Sequence, residues 1–166
     1  AHDSGKRIVL EAQLGAMRDI DYGIFPFTSS SNTLAAYAPL GAGMPNFKLD
    51  HVVGVLKAYS TCVGAGPFAA ENAMGEAWNE KLRKAGGEYG AATGRPRRVG
   101  GFDVVASRYG ALVQGCTYIA LTKLDVLSYL KQIPVCVAYE LDGKRIDYFP
   151  SAIDELEAAK PVYEYL

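Results

Sequence analysis

The pattern of apolar and polar positions predicts short strands that alternate with helices. Apolar runs of strand length occupy residues 52–59, 118–121 and 135–141. The first of these is almost continuous, which is typical of a strand covered on both faces, and residues 118–121 are expected to be buried as well. A short β-branched run at residues 8–11 predicts one more strand.

Helical spacing of apolar side chains appears in the segments between these runs. The predicted helices cover residues 33–43, 71–85, 103–114, 125–130 and 151–158. Gly86-Gly87 follows the second helix as a C-terminal cap, and Asp103 lies near the start of the third. Ser151 is the expected N-terminal cap of the last helix, whose first turns are acidic.

Asp142-Gly143 is the strongest hairpin signal in the chain, because both residues tolerate the positive φ of a tight turn. The flanking strands are predicted at residues 135–141 and 144–149. Together with the alternating strands and helices, this gives an α/β class: a mostly parallel central sheet with flanking helices, plus an antiparallel hairpin. Residues 19–32 are rich in Asp, Gly, Pro, Ser and Thr, and a loop of that length is usually functional.

Composition narrows the range of functions. The 166 residues make up one domain of ordinary globular content, with 49% hydrophobic and 21% charged residues. A formal net charge of −1 gives no general basic field for nucleic acid. No run resembles a membrane span or a signal peptide. The three cysteines are widely spaced in apolar sequence, which predicts reduced core residues of a cytoplasmic protein and no metal site.

Basic residues are instead concentrated in one glycine-rich segment. Arg95, Arg97 and Arg98 follow Gly90 and Gly94. Guanidinium groups bind phosphate and carboxylate in a bidentate manner, so this loop suits a small anion. Because like charges repel, we expect residues 91–98 to be mobile without a ligand. A solvated surface turn is the simpler interpretation of the same pattern.

Lys123-Leu124-Asp125 follows the buried strand 118–121. A carboxylate in this position can accept both N–H groups on one edge of guanine, which adenine does not offer. The tripeptide also occurs by chance in many proteins. With the arginine loop, it points to a nucleotide-phosphate enzyme that prefers guanine.

Other candidate motifs are weaker. The Ser29-Ser30-Ser31-Asn32 cluster could hold a phosphate or a sugar through neutral hydrogen bonds, or could be a plain turn. A Walker loop is missing, and Gly64-Ala65-Gly66 lacks the third glycine of a dinucleotide fingerprint. His2 and His51 are interpreted as structural or exposed, and no nucleophilic set can be assembled.

Several ordered blocks of the chain resemble adenylosuccinate synthetases, the GTP-dependent ligases that join aspartate to IMP. The matching blocks are residues 19–33, 52–68, 87–103, 120–127, 135–150 and 160–166. This resemblance implies a P-loop NTPase-like fold without its P-loop segment. It also implies that the chain is a single α/β domain, residues 1–166, cut from the central and C-terminal-proximal part of a longer chain.

The resemblance implies an IMP site. Ser29 stands where the family has a threonine that touches the IMP phosphate. Gln13 corresponds to a glutamine that contacts IMP, although here it is displaced by one position. Val63 and Gly64 match a segment beside the IMP ribose, and Arg95 would reach the IMP side.

The resemblance also implies an aspartate loop and a GTP site. The aspartate loop comprises Ala91, Ala92, Thr93, Gly94, Arg95, Pro96 and Arg97. Ala92 replaces a threonine that the family usually has, which removes one hydroxyl. GTP would be bound by Arg97, Lys123, Leu124 and Asp125, with Arg97 on its phosphates.

The rest of the machinery is expected outside this chain. By resemblance, the catalytic aspartate and histidine and the Mg²⁺ ligands belong to an N-terminal part, so this chain alone should be inactive. IMP, GTP and L-aspartate are the implied partners, and the full enzyme is expected to be a cytoplasmic homodimer in AMP biosynthesis. A non-catalytic nucleotide-binding or assembly module remains an alternative, and a Ras-like switch is disfavoured by the missing Walker loop.

Overall fold

The computed structural model describes residues 4–71 and 74–166 and contains a two-stranded parallel sheet. Strand β1 (Val53–Lys57) pairs in parallel with β5 (Tyr118–Thr122), with Val53 opposite Tyr118 and Lys57 opposite Thr122. The carboxyl ends of both strands therefore lie at the same edge, where α/β proteins usually bind ligands.

A second sheet is organised around β6 (Pro134–Leu141), whose two edges are both used. One edge pairs with β4 (Phe102–Asp103) in parallel and with β7 (Lys144–Ile146) antiparallel. The other edge pairs antiparallel with β8 (Lys160–Tyr165). Strands β2 (Ser60–Cys62) and β3 (Arg98–Gly100) form a separate antiparallel pair.

Capping residues set the ends of the two longest helices among the described residues. The helices are α1 (Ala38–Gly41), α2 (Glu76–Gly86), α3 (Val104–Gln114) and α4 (Ile153–Ala158). Helix α3 begins after Asp103, whose carboxylate accepts the Ala106 amide at 2.9 Å. Gly87 and Gly115 end α2 and α3 with φ of 64° and 63°, a conformation that glycine adopts without strain.

Two apolar clusters form the core. The first lies beneath the carboxyl end of β1 and comprises Ala58, Tyr59, Leu82, Val99, Val126 and Leu127. The second lies between β6, α3 and α4 and comprises Ala70, Val105, Cys136, Tyr139, Leu156 and Ala159. The first cluster anchors the segments in which the arginine loop and the Lys-Leu-Asp tripeptide lie.

The predicted α/β class is confirmed, with parallel pairing, flanking helices and antiparallel strands. The hairpin forms as predicted: Asp142 and Gly143 have φ of 51° and 72° between β6 and β7. Helix α3 matches the predicted 103–114. Helix α2 begins at Glu76, later than the predicted residue 71; residues 72–73 and His2 lie outside the described residues.

Five sequence predictions about the fold need correction. Residues 8–11 form no strand, and the predicted helix 33–43 is a 3₁₀ turn (Ala35–Tyr37) followed by the single turn of α1. The helix predicted for 125–130 is a 3₁₀ turn, Asp125–Leu127. Ser151 does not cap α4, which begins after Ala152 without a side-chain cap.

The fifth correction concerns burial of strands β1 and β5. Strands β1 and β5 are not covered on both faces in this chain, since Val55 is 70% exposed and Tyr118 is 57% exposed. The alternation that a half-exposed strand needs is absent from β1 because its outward positions are also apolar. A continuous apolar run therefore predicted the strand correctly and its burial wrongly.

Candidate functional site

One large cavity brings together predicted site residues from distant parts of the sequence. Its volume is about 1830 Å³, and its walls include Gln13, Ser29, Val63 and Arg97. Gly64, residues 91–96 and residues 123–125 do not line it in the part of the chain that the structure describes. Three of the five residues implied for IMP, and the arginine implied for GTP phosphates, therefore face a common space.

Asp19 organises the loop that carries Ser29. Its carboxylate is fully buried and accepts the backbone amides of Asp21, Tyr22 and Thr33 at 2.9, 3.0 and 2.6 Å. Burial alone would raise the pKa of this carboxyl, but the amide hydrogen bonds outweigh it and lower the pKa below its usual value. Asp19 is thus an ionised structural hub, which holds the long loop in one conformation.

Hydrogen bonds to Arg18 and Ser31 fix the position of Ser29. Its amide and its hydroxyl both donate to the Arg18 carbonyl, at 2.9 and 2.8 Å. The hydroxyl oxygen also accepts the Ser31 amide at 3.2 Å. A bound phosphate would therefore compete with the Arg18 carbonyl for the Ser29 proton.

Two arginines shape the loop that contains Val63 and Gly64. Arg18 Nη2 donates to the carbonyls of Val63 and Ala65, at 2.8 and 3.1 Å. Arg98 Nη1 donates to the carbonyls of Gly64 and Gly66, at 3.0 and 2.8 Å. Gly64 has φ of 84°, so the turn requires a left-handed conformation there. The loop is held by four successive carbonyl groups.

Glu88 is the centre of a buried ionic cluster at the base of the arginine loop. Its carboxylate is 2% exposed and accepts Lys57 Nζ at 2.8 Å, Arg97 Nη1 at 2.9 Å and the Tyr59 hydroxyl at 2.6 Å. Burial opposes ionisation, but these donors lower the pKa of Glu88. Burial and Glu88 together raise the pKa of Tyr59. One carboxylate faces two cations, so the cluster carries a surplus positive charge beside the cavity.

The three arginines do not form one clamp, since two of them are paired with different carboxylates. Arg97 pairs with Glu88, and Arg98 forms a bidentate pair with Glu71 at 2.8 and 2.5 Å. Glu71 raises the pKa of Arg98 further. Arg95 is exposed and has no carboxylate partner among the described residues. Each cation therefore has a different environment, although the residues are adjacent in sequence.

Residues 91–94 form a tight exposed turn. The Gly94 amide donates to the Gly90 carbonyl, and the Gly90 amide donates to the Arg95 carbonyl, both at 2.8 Å. Tyr89 and Pro96 form a β-bridge that closes the loop. Thr93 and Arg95 are thus presented to solvent on a stem fixed by Glu88.

The Lys-Leu-Asp tripeptide lies at the carboxyl end of β5. Lys123 has φ of 63°, a strained value for a non-glycine residue, and its Nζ donates to the Gly86 carbonyl at 3.3 Å. Leu124 and Asp125 are exposed, whereas Val126 and Leu127 are buried in the first core cluster. Asp125 is therefore exposed on a turn that the buried Val126 and Leu127 anchor.

Sequence reasoning missed Arg18, Lys57 and Glu88. Glu88 could have been identified from the sequence, because it is the single acidic residue directly before the arginine loop. Lys57 is the only charged residue in the apolar run 52–59. Arg18 had no comparable signal, since its role depends on the return of residues 63–65 to the same place.

No group of three or more His, Cys, Asp or Glu residues in the described ranges could hold a metal ion. A search of the same residues found no helix long and apolar enough to cross a membrane.

Comparisons with known proteins identify the family. A family model described as adenylosuccinate synthetase matches residues 1–166. The chain is also similar to a solved structure, fully ligated adenylosuccinate synthetase from Plasmodium falciparum, with 38% sequence identity and a TM-score of 0.91. The similarity covers 99% of this chain and 39% of the Plasmodium chain. This chain thus spans about two fifths of the length of that relative.

The fold and the site define an α/β protein with a basic cavity beside the carboxyl ends of parallel strands, suited to anionic ligands. The match over the whole chain specifies the class further. The chain belongs to the adenylosuccinate synthetase family.

Proposed function

We propose that this chain is the IMP- and GTP-contacting part of a ligase that couples GTP hydrolysis to the joining of L-aspartate to IMP. The family match over residues 1–166 is the observation that carries this proposal. In the reaction, the γ-phosphoryl group of GTP moves to O6 of IMP, and the aspartate amine then displaces phosphate to give adenylosuccinate. Such chemistry depends mainly on positioning and on stabilising negative charge.

We assign the IMP side to Gln13, Ser29, Val63, Gly64 and Arg95. Gln13, Ser29 and Val63 line the same cavity, which supports a common ligand. The phosphate would lie near Ser29 and the ribose near the Val63–Gly64 amides. Gln13 is exposed and could turn towards the base.

We assign the remaining ligands to the two anchored turns. The exposed loop from Ala91 to Arg97 would hold the aspartate carboxylates through Thr93 and Arg95. Arg97, which faces the cavity with surplus positive charge behind it, would meet the GTP phosphates. Lys123, Leu124 and Asp125 would read guanine.

The Mg²⁺ ion and the acid–base groups belong, in this proposal, to polypeptide outside the chain. The described residues offer no metal-binding cluster, and the ion would supply charge neutralisation on the phosphates. The chain's own residues bind and orient the substrates. The chain alone should therefore be inactive, and the full enzyme is proposed to be a homodimer. Three free cysteines support a cytoplasmic location.

A chimera tests the proposal. The matching 39% of the Plasmodium enzyme is replaced by this chain, and adenylosuccinate formation from GTP, IMP, aspartate and Mg²⁺ is followed by absorbance. We expect turnover by the chimera and none by the isolated chain. A folded chimera that binds GTP and IMP but forms no product would favour the alternative, a non-catalytic nucleotide-binding module.

A further inference from the structure

Arg18 lies where two segments of the proposed IMP site meet. It ends the 3₁₀ turn Ala16–Arg18, is half-buried, and lines the cavity. Its carbonyl accepts the amide and the hydroxyl of Ser29. Its guanidinium donates to the carbonyls of Phe27, Val63 and Ala65. One side chain thus ties the loop beside Ser29 to the loop beside the proposed ribose position.

All partners of this guanidinium are neutral. Besides the carbonyl groups, Nη2 lies 2.9 Å from Cys62 Sγ. No carboxylate among the described residues lies within ion-pair distance of Arg18. By contrast, Arg97, which also lines the cavity, is paired with Glu88, and Arg98, which holds the neighbouring loop, is paired with Glu71.

A half-buried cation without a counter-charge is costly, and an anion in the cavity would remove that cost. The Nε–H of Arg18 donates to no described group, so the guanidinium keeps a donor for such a ligand. Arginine suits this role because its planar fork can hold several carbonyl oxygens through its Nη groups and still present its Nε–H to phosphate. Lysine, a point charge on a flexible stem, could not brace the 63–65 loop in the same way.

We propose that Arg18 is a binding residue for the phosphate of the nucleoside monophosphate in this cavity. This rests on the proposed function for the identity of the ligand, but not for the presence of an anion site. Arg18 would act with Ser29: the serine hydroxyl turns from the Arg18 carbonyl to the phosphate, and the guanidinium supplies the positive charge. The same contacts keep the Val63 and Gly64 amides in place for the ribose.

Calorimetry on the 166-residue chain separates charge from loop bracing. IMP and inosine, which lacks the phosphate, are titrated into the wild type, Arg18→Leu and Arg18→Lys. The matched control is Arg145→Leu, since Arg145 is exposed, lies 3.8 Å from Glu164 and does not line the cavity. Thermal unfolding of each variant checks that it is folded.

For Arg18→Leu we expect IMP binding to weaken about 10- to 100-fold, as for loss of a charge-assisted hydrogen bond, while inosine binding changes much less. Arg18→Lys should lose less IMP affinity than Arg18→Leu, and Arg145→Leu should match the wild type. Equal weakening for IMP and inosine would assign Arg18 to loop bracing alone and overturn the proposal. Unchanged IMP binding would overturn it as well.

A second measurement on the wild type keeps this inference distinct from the proposed function. The Arg18 Nε–H resonance is followed during titration with inorganic phosphate. A saturable shift that persists when IMP does not bind would support the anion site and contradict the IMP assignment. No shift with either phosphate or IMP would overturn the role of Arg18.

Discussion

Replacing Glu88 with glutamine removes one negative charge from the base of the arginine loop and keeps the shape of the side chain. Lys57 and Arg97 then share no carboxylate, and the glutamine NH₂ group faces donors. Hydrogen bonds to charged groups contribute about 1.5–3 kcal/mol each, and breaking a buried ion pair costs about 3–5 kcal/mol. Lys57 and Arg97 retain 29% and 33% side-chain exposure, so water screens part of this loss.

We therefore expect Glu88→Gln to lower the free energy of unfolding by about 2–3 kcal/mol at pH 7. Urea unfolding at several pH values is the assay. The folded-state pKa of Glu88 is lowered, so its contribution is complete above the unfolded-state pKa of about 4.3 and is lost as pH falls through the lower folded-state value. The difference between wild type and variant should accordingly be constant from neutral pH down to that region and then shrink.

Glu80→Gln is the control, because Glu80 is exposed and pairs only with Lys84 one helical turn away. It should unfold like the wild type. A Glu88→Gln variant as stable as that control, or a difference that grows on acidification, would refute the view that Glu88 is an ionised hub.

Three further substitutions test other parts of the structure. Asp125→Asn in the active chimera should weaken GTP by about 2–4 kcal/mol and favour xanthosine triphosphate in competition kinetics, because one acceptor becomes a donor; unchanged GTP kinetics would exclude Asp125 as the guanine reader. Leu14 has φ of 73° and is 55% exposed, so Leu14→Gly should raise the urea midpoint by relieving about 1 kcal/mol of strain, and a lower midpoint would show that its side chain packs. Asp103→Ala should lower the free energy of unfolding in urea by about 2–4 kcal/mol, because it removes a helix cap and leaves the buried Tyr139 hydroxyl, 2.7 Å from the carboxylate, without its acceptor. A loss below about 1 kcal/mol would contradict both roles.

Local chemistry explains which elements the sequence predicts. Asp142-Gly143 forms its turn because both residues accept positive φ, and α3 begins at Asp103 because a short carboxylate satisfies the free amide of Ala106. Ser151 has the same capping chemistry but does not serve, because α4 begins after Ala152. A sequence pattern can identify a residue that is able to cap a helix. Tertiary packing decides at which residue the helix begins.

The site is harder to predict from the sequence than the fold, because its contacts join residues that are far apart along the chain. Arg98 pairs with Glu71, 27 residues away, and Arg18 reaches the Val63 carbonyl, 45 residues away. The arginine-rich segment therefore predicted a positively charged loop correctly, but it gave no indication of the carboxylates that neutralise Arg97 and Arg98. Gln13, Ser29 and Val63 were grouped through the family resemblance, and their common cavity depends on the fold.

The cavity beside Ser29, Val63 and Arg97 is proposed to bind IMP. Amide chemical shifts of the 166-residue chain, followed during titration with IMP, test this binding most directly. We predict saturable shifts at Ser29, Val63 and Gly64, with no change at Gly143 in the hairpin turn, which does not line the cavity. Absence of saturable shifts, or shifts confined to the hairpin, would contradict the account.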